Sequence, residues 1–238
     1  RPDKLLLRYA VLGASTEKNL EVLPYAYTDG LAIPSVTPPA GWEPRQEAIL
    51  RFDEENRSIT IPPGAHSLDH DLFIPTGYTV TATAPLRIDL VKGARIISRS
   101  PMQLRGLDEA PITFGSSDAS GGGLILLATG GKSSFEHVRI DGFGANAAGV
   151  PSIILQEAPS NWKGCVFGEV RTRDLLQAVR SKVDLHACTF TGGEDQLLLG
   201  YGDATINDVS FLGAGDDALK VKGGAARFSA ATVAGASS

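Results

Sequence analysis

The stretches Phe135-Glu136-His137-Val138-Arg139-Ile140, Trp162-Lys163-Gly164-Cys165-Val166-Phe167, Leu185-His186-Ala187-Cys188-Thr189-Phe190, Ile206-Asn207-Asp208-Val209-Ser210-Phe211 and Phe228-Ser229-Ala230-Ala231-Thr232-Val233 share one pattern. An apolar residue is followed at +3 and +5 by two more, and all fifteen positions are apolar against a 42% background. The closing residues lie 27, 23, 21 and 22 positions apart. A period of that length without helical periodicity is the mark of a solenoid whose turns stack on one another.

The repeat extends backwards. Fourteen and twelve residues before each closing residue sit Ile153/Leu155, Leu176/Ala178, Leu197/Leu199 and Leu219/Val221. Apolar residues two apart describe a strand with one face buried. Each unit therefore reads as strand, turn, strand, two-residue bend and short strand, and the bend explains the +3 step. Stacked in parallel at about 4.8 Å per turn, such units form a right-handed, single-stranded parallel β-helix, an all-β solenoid. A β-sandwich would not hold one register over four units.

Composition agrees with this fold. The 238 residues include 27 glycines and one methionine, and helix-forming runs are scarce. The net charge of −5 gives no footprint for nucleic acid, and no apolar run is long enough for a membrane span. The chain opens at Arg1 and ends within what should be another turn, so it reads as a fragment or processed piece truncated at its C-terminus.

Three regions follow. Residues 1–50 form an N-terminal extension, either a cap or the remnant of an upstream domain. In it, Leu5 to Leu12 and Glu21 to Tyr27 could be strands before the proline-rich connector Ile33-Pro34-Ser35-Val36-Thr37-Pro38-Pro39. Residues 51–238 are the coil, with irregular turns over 51–123 and regular turns over 124–238. Pro62-Pro63-Gly64 and Pro75-Thr76-Gly77 punctuate the irregular part 13 residues apart. The glycine run Gly121-Gly122-Gly123 precedes a strand rather than a helix, so it is not a phosphate loop. Cys165 and Cys188 share a column of adjacent turns and are expected as stacked, buried thiols rather than a disulfide.

Candidate chemistry lies on the coil. Sixteen residues before the closing position, consecutive turns carry Asp174, Asp195 and Asp217, and the last two have acidic neighbours in Glu194 and Asp216. Carboxylates stacked about 5 Å apart repel, which favours protonation of at least one. Asp195, Asp216 and Asp217 are the candidate catalytic residues, able to supply the acid and base of glycoside cleavage. Asp174, Glu194, Lys220 and Lys222 are the candidate binding residues, the lysines reading as outward groups that could meet an anionic sugar chain. No metal ligand set is assigned and no cofactor is expected, although a calcium ion suits such a cluster. The competing reading makes each aspartate a cap for backbone N–H groups at one corner of the coil. The outward aliphatics Ile154, Val179 and Leu198 favour that reading, because a saccharide groove should offer polar and aromatic groups there. They would be a partner surface or be covered by residues 1–50. His66, Asp69, His70 and Asp71 have loose metal-ligand character without an evident closing ligand, and His137 and His186 fall in or beside the bend.

Two resemblances can be stated. Ile61-Pro62-Pro63-Gly64, Leu72-Phe73-Ile74-Pro75-Thr76-Gly77-Tyr78, Ser98-Arg99-Ser100-Pro101, Gly106, Ala110-Pro111-Ile112 and Ser116-Ser117-Asp118 resemble a bacterial β-helix module associated with CotH-type spore-coat kinase-like proteins, over roughly residues 57–225. That resemblance implies a right-handed coil of bacterial, secreted or cell-envelope origin, and it brings no catalytic residues with it. No kinase motif is present. Gly215-Asp216-Asp217-Ala218-Leu219-Lys220-Val221 is similar to the Gly-Asp-Asp stretch of polygalacturonases, pectin-active β-helices. Asp195 falls where that family has its Asn-Thr-Asp aspartate, here preceded by Gly193-Glu194.

The expectation is an extracellular or envelope scaffold for binding or display, with polysaccharide or an upstream domain of the same protein as partner and no catalytic site in this stretch. The alternatives are a polysaccharide hydrolase or lyase using the stacked aspartates, and a purely structural spacer.

Overall fold

The computed structural model describes residues 5–10, 17–22, 36–144, 150–170 and 174–235. The chain divides into two units, Arg1–Ser35 and Val36–Ser238. In the first, Leu5–Ala10 pairs antiparallel with Glu17–Val22. The strand expected over 21–27 is described only as far as Val22, and residues 33–35 of the connector lie outside the described residues.

The second unit is a right-handed parallel β-solenoid with three strand faces. The triplets that define the repeat stack in register. Leu104, Phe135, Trp162, Leu185, Ile206 and Phe228 form one inward column. Ile88, Phe114, Ile140, Phe167, Phe190, Phe211 and Val233 form a second. Leu72, Ile96, Leu124, Ile153, Leu176, Leu197 and Leu219 form the third. Aromatic rings fill the interior along the axis: Phe135 stacks on Trp162 at 3.8 Å, Phe167 on Phe190 at 4.3 Å and Phe190 on Phe211 at 5.0 Å. Such pairs add about 0.5–1.5 kcal/mol beyond their buried area.

The +3 step has a backbone cause. The second residue after the opening position turns left-handed in the first four triplets, with φ of 47° at His137, 60° at Gly164, 51° at Ala187 and 54° at Asp208. The corner between the third column's face and the first's does the same at Ala128, Glu157, Arg180, Tyr201 and Gly223. These corners still pair in register, as in Ala187 N–H to Asn207 O at 3.0 Å and Arg180 N–H to Gly200 O at 2.8 Å. A side chain on Gly123, at φ 91°, would place Cβ only 2.0 Å from Ser152 O of the next turn.

Parallel pairing begins at Ser58, which joins Thr79, so residues 58–123 are turns of the same coil. Above them, residues 36–50 form an irregular cap. Ile49 and Leu50 enter the core, and Trp42 packs edge-on against Phe73 at 5.5 Å. Outward positions on the third column's strands are buried as well: Ile97 is 1% exposed, Ile154 1% and Leu198 3%. Cys165 and Cys188 are free, buried thiols, and burial pushes the Cys165 thiol far up.

Candidate acidic site

The strand Asp195–Leu212 begins at the corner after Gly192-Gly193, both left-handed, and the strand Leu219–Ala234 begins one turn later after the bend at 215–218. That geometry sets Asp195 beneath Asp217. Asp217 N–H donates to Asp195 Oδ1 at 3.2 Å, and Gln196 N–H donates to Asp217 O at 2.9 Å. Asp216 N–H donates to Glu194 O at 2.9 Å, so the acidic bend is tied to the turn below by backbone as well as side chain.

Asp195, Asp216 and Asp217 converge, with one carboxylate oxygen of each within 4.8 Å of the others. Their environments differ. The Asp195 side chain is 3% exposed, that of Asp217 44% and that of Asp216 71%. Lys220 stands among them. Its Nζ lies 2.9 Å from Asp195 Oδ2, 3.1 Å from Asp217 Oδ2 and 3.8 Å from Asp216 Oδ2. Hydrogen bonds first with Asp195 and then with Asp217 hold the Lys220 ammonium well above the usual lysine range. The lysine therefore stays charged at neutral pH and offsets the repulsion among the carboxylates.

This constellation corrects the scaffold expectation. A scaffold with no catalytic site does not account for a buried carboxylate, two solvent-facing carboxylates and a cation converging on one point. Asp195 does take a backbone N–H as a corner cap would, but a cap uses one carboxylate per turn. The aliphatic argument against a saccharide also loses its basis, because Ile154, Val179 and Leu198 are buried and are not surface that a ligand would meet.

The other predicted residues take other places. Lys220 starts from the outward column beside Leu198, and its side chain turns back among the aspartates. Asp174 is buried one turn below Asp195, its direct partner in the strand register, outside the group of three. Glu194 and Lys222 are exposed at the edges of the site. His66, Asp69, His70 and Asp71 do not converge. Asp71 forms a two-pronged pair with Arg95, His66 Nε2 faces Pro62 O at 2.9 Å, and His70 lies between Asp69 and Glu47. His186 Nδ1 meets Asn207 Nδ2 at 2.9 Å. Tyr201, absent from the sequence prediction, is 49% exposed at a corner within the strand that begins at Asp195. Its signal was the left-handed corner position, which turns the ring outward.

The triad is consistent with a weak, calcium-type site. Calcium seeks several carboxylate oxygens at about 2.3–2.6 Å, and oxygens separated by no more than 4.8 Å can share one ion at that radius. The Lys220 ammonium stands at the same focus, so ion and lysine would compete. No family model, curated protein or solved structure matches this chain.

Proposed function

We propose that the acidic corner cleaves a uronate-containing polysaccharide, by hydrolysis or by elimination. The observation that carries this reading is the convergence of Asp195, Asp216 and Asp217 around Lys220, with one member buried and two facing solvent. Asp216 and Asp217 are placed to transfer protons. Asp195 and Lys220 position them, and Lys220 can in addition face the carboxylate of a bound uronate. In hydrolysis, water adds across the glycosidic bond and the leaving oxygen takes a proton. In elimination, a carboxylate removes the proton α to the uronate carboxyl group, the bond to the leaving oxygen breaks, a carbon–carbon double bond forms and that oxygen is protonated.

Further features support this reading. Tyr201 and Lys222 lie on the two neighbouring strands that leave the corner, and an exposed aromatic ring and a cation suit a chain of anionic sugars. The similarity of Gly215-Asp216-Asp217 to the polygalacturonase stretch favours a pectin-like substrate. The resemblance of residues 59–118 to a bacterial envelope-associated module favours secretion or the cell envelope, where such polymers are met.

The test is incubation with a panel of neutral and uronate polysaccharides, reading new reducing ends and unsaturated products. Turnover of a uronate polymer, lost in Asp217→Asn and Asp216→Asn, is the expected result. No product from any polymer, or unchanged turnover in Asp217→Asn, refutes the assignment. Calcium is the second reading, favoured by the same three carboxylates. It predicts that added calcium raises the thermal midpoint in wild type but not in Asp195→Asn.

A further inference from the structure

A second cavity lies far from the acidic corner, between the cap and the first turns. It encloses about 270 Å³ and its walls are almost wholly apolar, with Val36, Pro38 and Trp42 on the cap side and Phe73 and Ile97 on the coil side. A dry apolar cavity of roughly 150 Å³ holds benzene, so this one accommodates a six-membered ring with a short arm. Its one charged lining group is Arg99. The Arg99 side chain is exposed, and it has no hydrogen-bond or ion-pair partner among the described residues. Its backbone is nonetheless fixed, since Arg99 N–H donates to Ile74 O at 3.0 Å.

The walls are held in place. Trp42 is clamped at both ends, with its ring edge-on to Phe73 at 5.5 Å and its Nε1–H donating to Glu47 Oε1 at 3.0 Å. A positioned indole edge-on to a phenyl ring makes a fixed apolar wall that suits a flat apolar group. A guanidinium at the mouth suits a planar anion, which it can bind through two parallel N–H···O bonds. A bare sugar ring fits less well, because its hydroxyls would be buried against walls that offer almost no hydrogen-bond partners.

We propose that this cavity binds a small aromatic carboxylate, with the ring against the wall of Trp42, Phe73 and Ile97 and the carboxylate on Arg99. The reading is independent of the acidic corner, so either can fail without the other. The experiment is isothermal titration with 3-phenylpropanoate and with 3-phenylpropan-1-ol, which has the same ring and arm without the charge. Wild type is expected to bind the carboxylate saturably at one site and more tightly than the alcohol. Arg99→Gln, at an exposed position that does not enter the core, should weaken the carboxylate at least tenfold and leave the alcohol within about twofold, as loss of a charge-assisted pair predicts. Trp42→Ala should weaken both. Absence of saturable binding in wild type, equal affinity for acid and alcohol, or an Arg99→Gln variant that binds the acid as wild type does would overturn the proposal.

Discussion

Lys220→Met isolates what the acidic corner costs and what holds it together. The substitution removes the ammonium, keeps most of the side-chain volume and leaves Asp195 with its Oδ1 on the Asp217 N–H and nothing on Oδ2, from which the lysine stood at 2.9 Å. Removing one member of a fully buried pair costs about 3–5 kcal/mol, whereas fully exposed pairs are worth about 0–1 kcal/mol. Asp195 is 3% exposed and Lys220 30%, so the pair falls between these limits on the buried side. A loss of about 2–3 kcal/mol is expected, or roughly 4–12 °C in the thermal midpoint of a chain this size. Urea denaturation at pH 7 of wild type, Lys220→Met, Asp195→Asn and the double variant measures it. In the Asp195→Asn background the charge to be compensated is gone, so Lys220→Met should cost less than about 1 kcal/mol there. Additive costs, or a single-variant loss below about 1 kcal/mol, would refute the claim that Lys220 neutralises a buried carboxylate.

Two further predictions test the cap and the bends. His70 Nε2 lies 3.2 Å from Glu47 Oε2 and its Nδ1 3.1 Å from Asp69 Oδ1; carboxylates only accept, so the imidazolium alone satisfies both. Hydrogen bonds with Asp69 and then Glu47 raise its pKa above the ordinary value of 6.5. A raised folded-state pKa gives stability that is complete below the unfolded value and fades as pH rises through the folded one. The difference between wild type and His70→Gln should therefore shrink above about pH 6.5, from a starting size under about 1 kcal/mol because the ring is half-exposed, and a difference independent of pH would refute an imidazolium bridging Asp69 and Glu47. Ala187 is exposed and sits at φ 51°, so Ala187→Gly relieves a left-handed penalty of about 1–2 kcal/mol while freeing the unfolded chain by somewhat less. A rise of roughly 2 °C in the thermal midpoint is expected, and a fall would mean that the bend is not strained there.

The coil was legible because its columns are made by residues whose direction follows from strand alternation. Phe167, Phe190 and Phe211 need only the period and the two-residue bend to be placed, and they stack as the spacing implies. What alternation gives is direction, not cover. Ile154 and Leu198 do point outward, yet they are buried, and no local pattern announces that. Lys220 shows the same limit. The register puts it beside Leu198 in the outward column, but its four-carbon stem lets Nζ reach Asp195, 25 residues earlier in sequence. The cap was legible as a proline-rich break, whereas the cavity behind Trp42 and Phe73 joins residues 31 positions apart and belongs to no repeat.

The same register that made the fold readable made the acidic corner look like ornament, since Asp174, Asp195 and Asp217 recur with the period of the core. What separates a site from a ladder of caps is the departure from one carboxylate per turn. Asp195 takes the Asp217 N–H, and that contact alone would complete a cap. Asp216 adds a carboxylate the ladder does not need, and Lys220 adds a cation that the lower turns do not have, since its column there holds Ile154, Gln177 and Leu198. A corner built only for stability would do better with fewer charges, because desolvating Asp195 works against folding and the lysine only offsets it. Charge in excess of what the turn requires, gathered where two carboxylates still meet solvent, is the feature a catalytic or cation-binding role explains and a structural one does not.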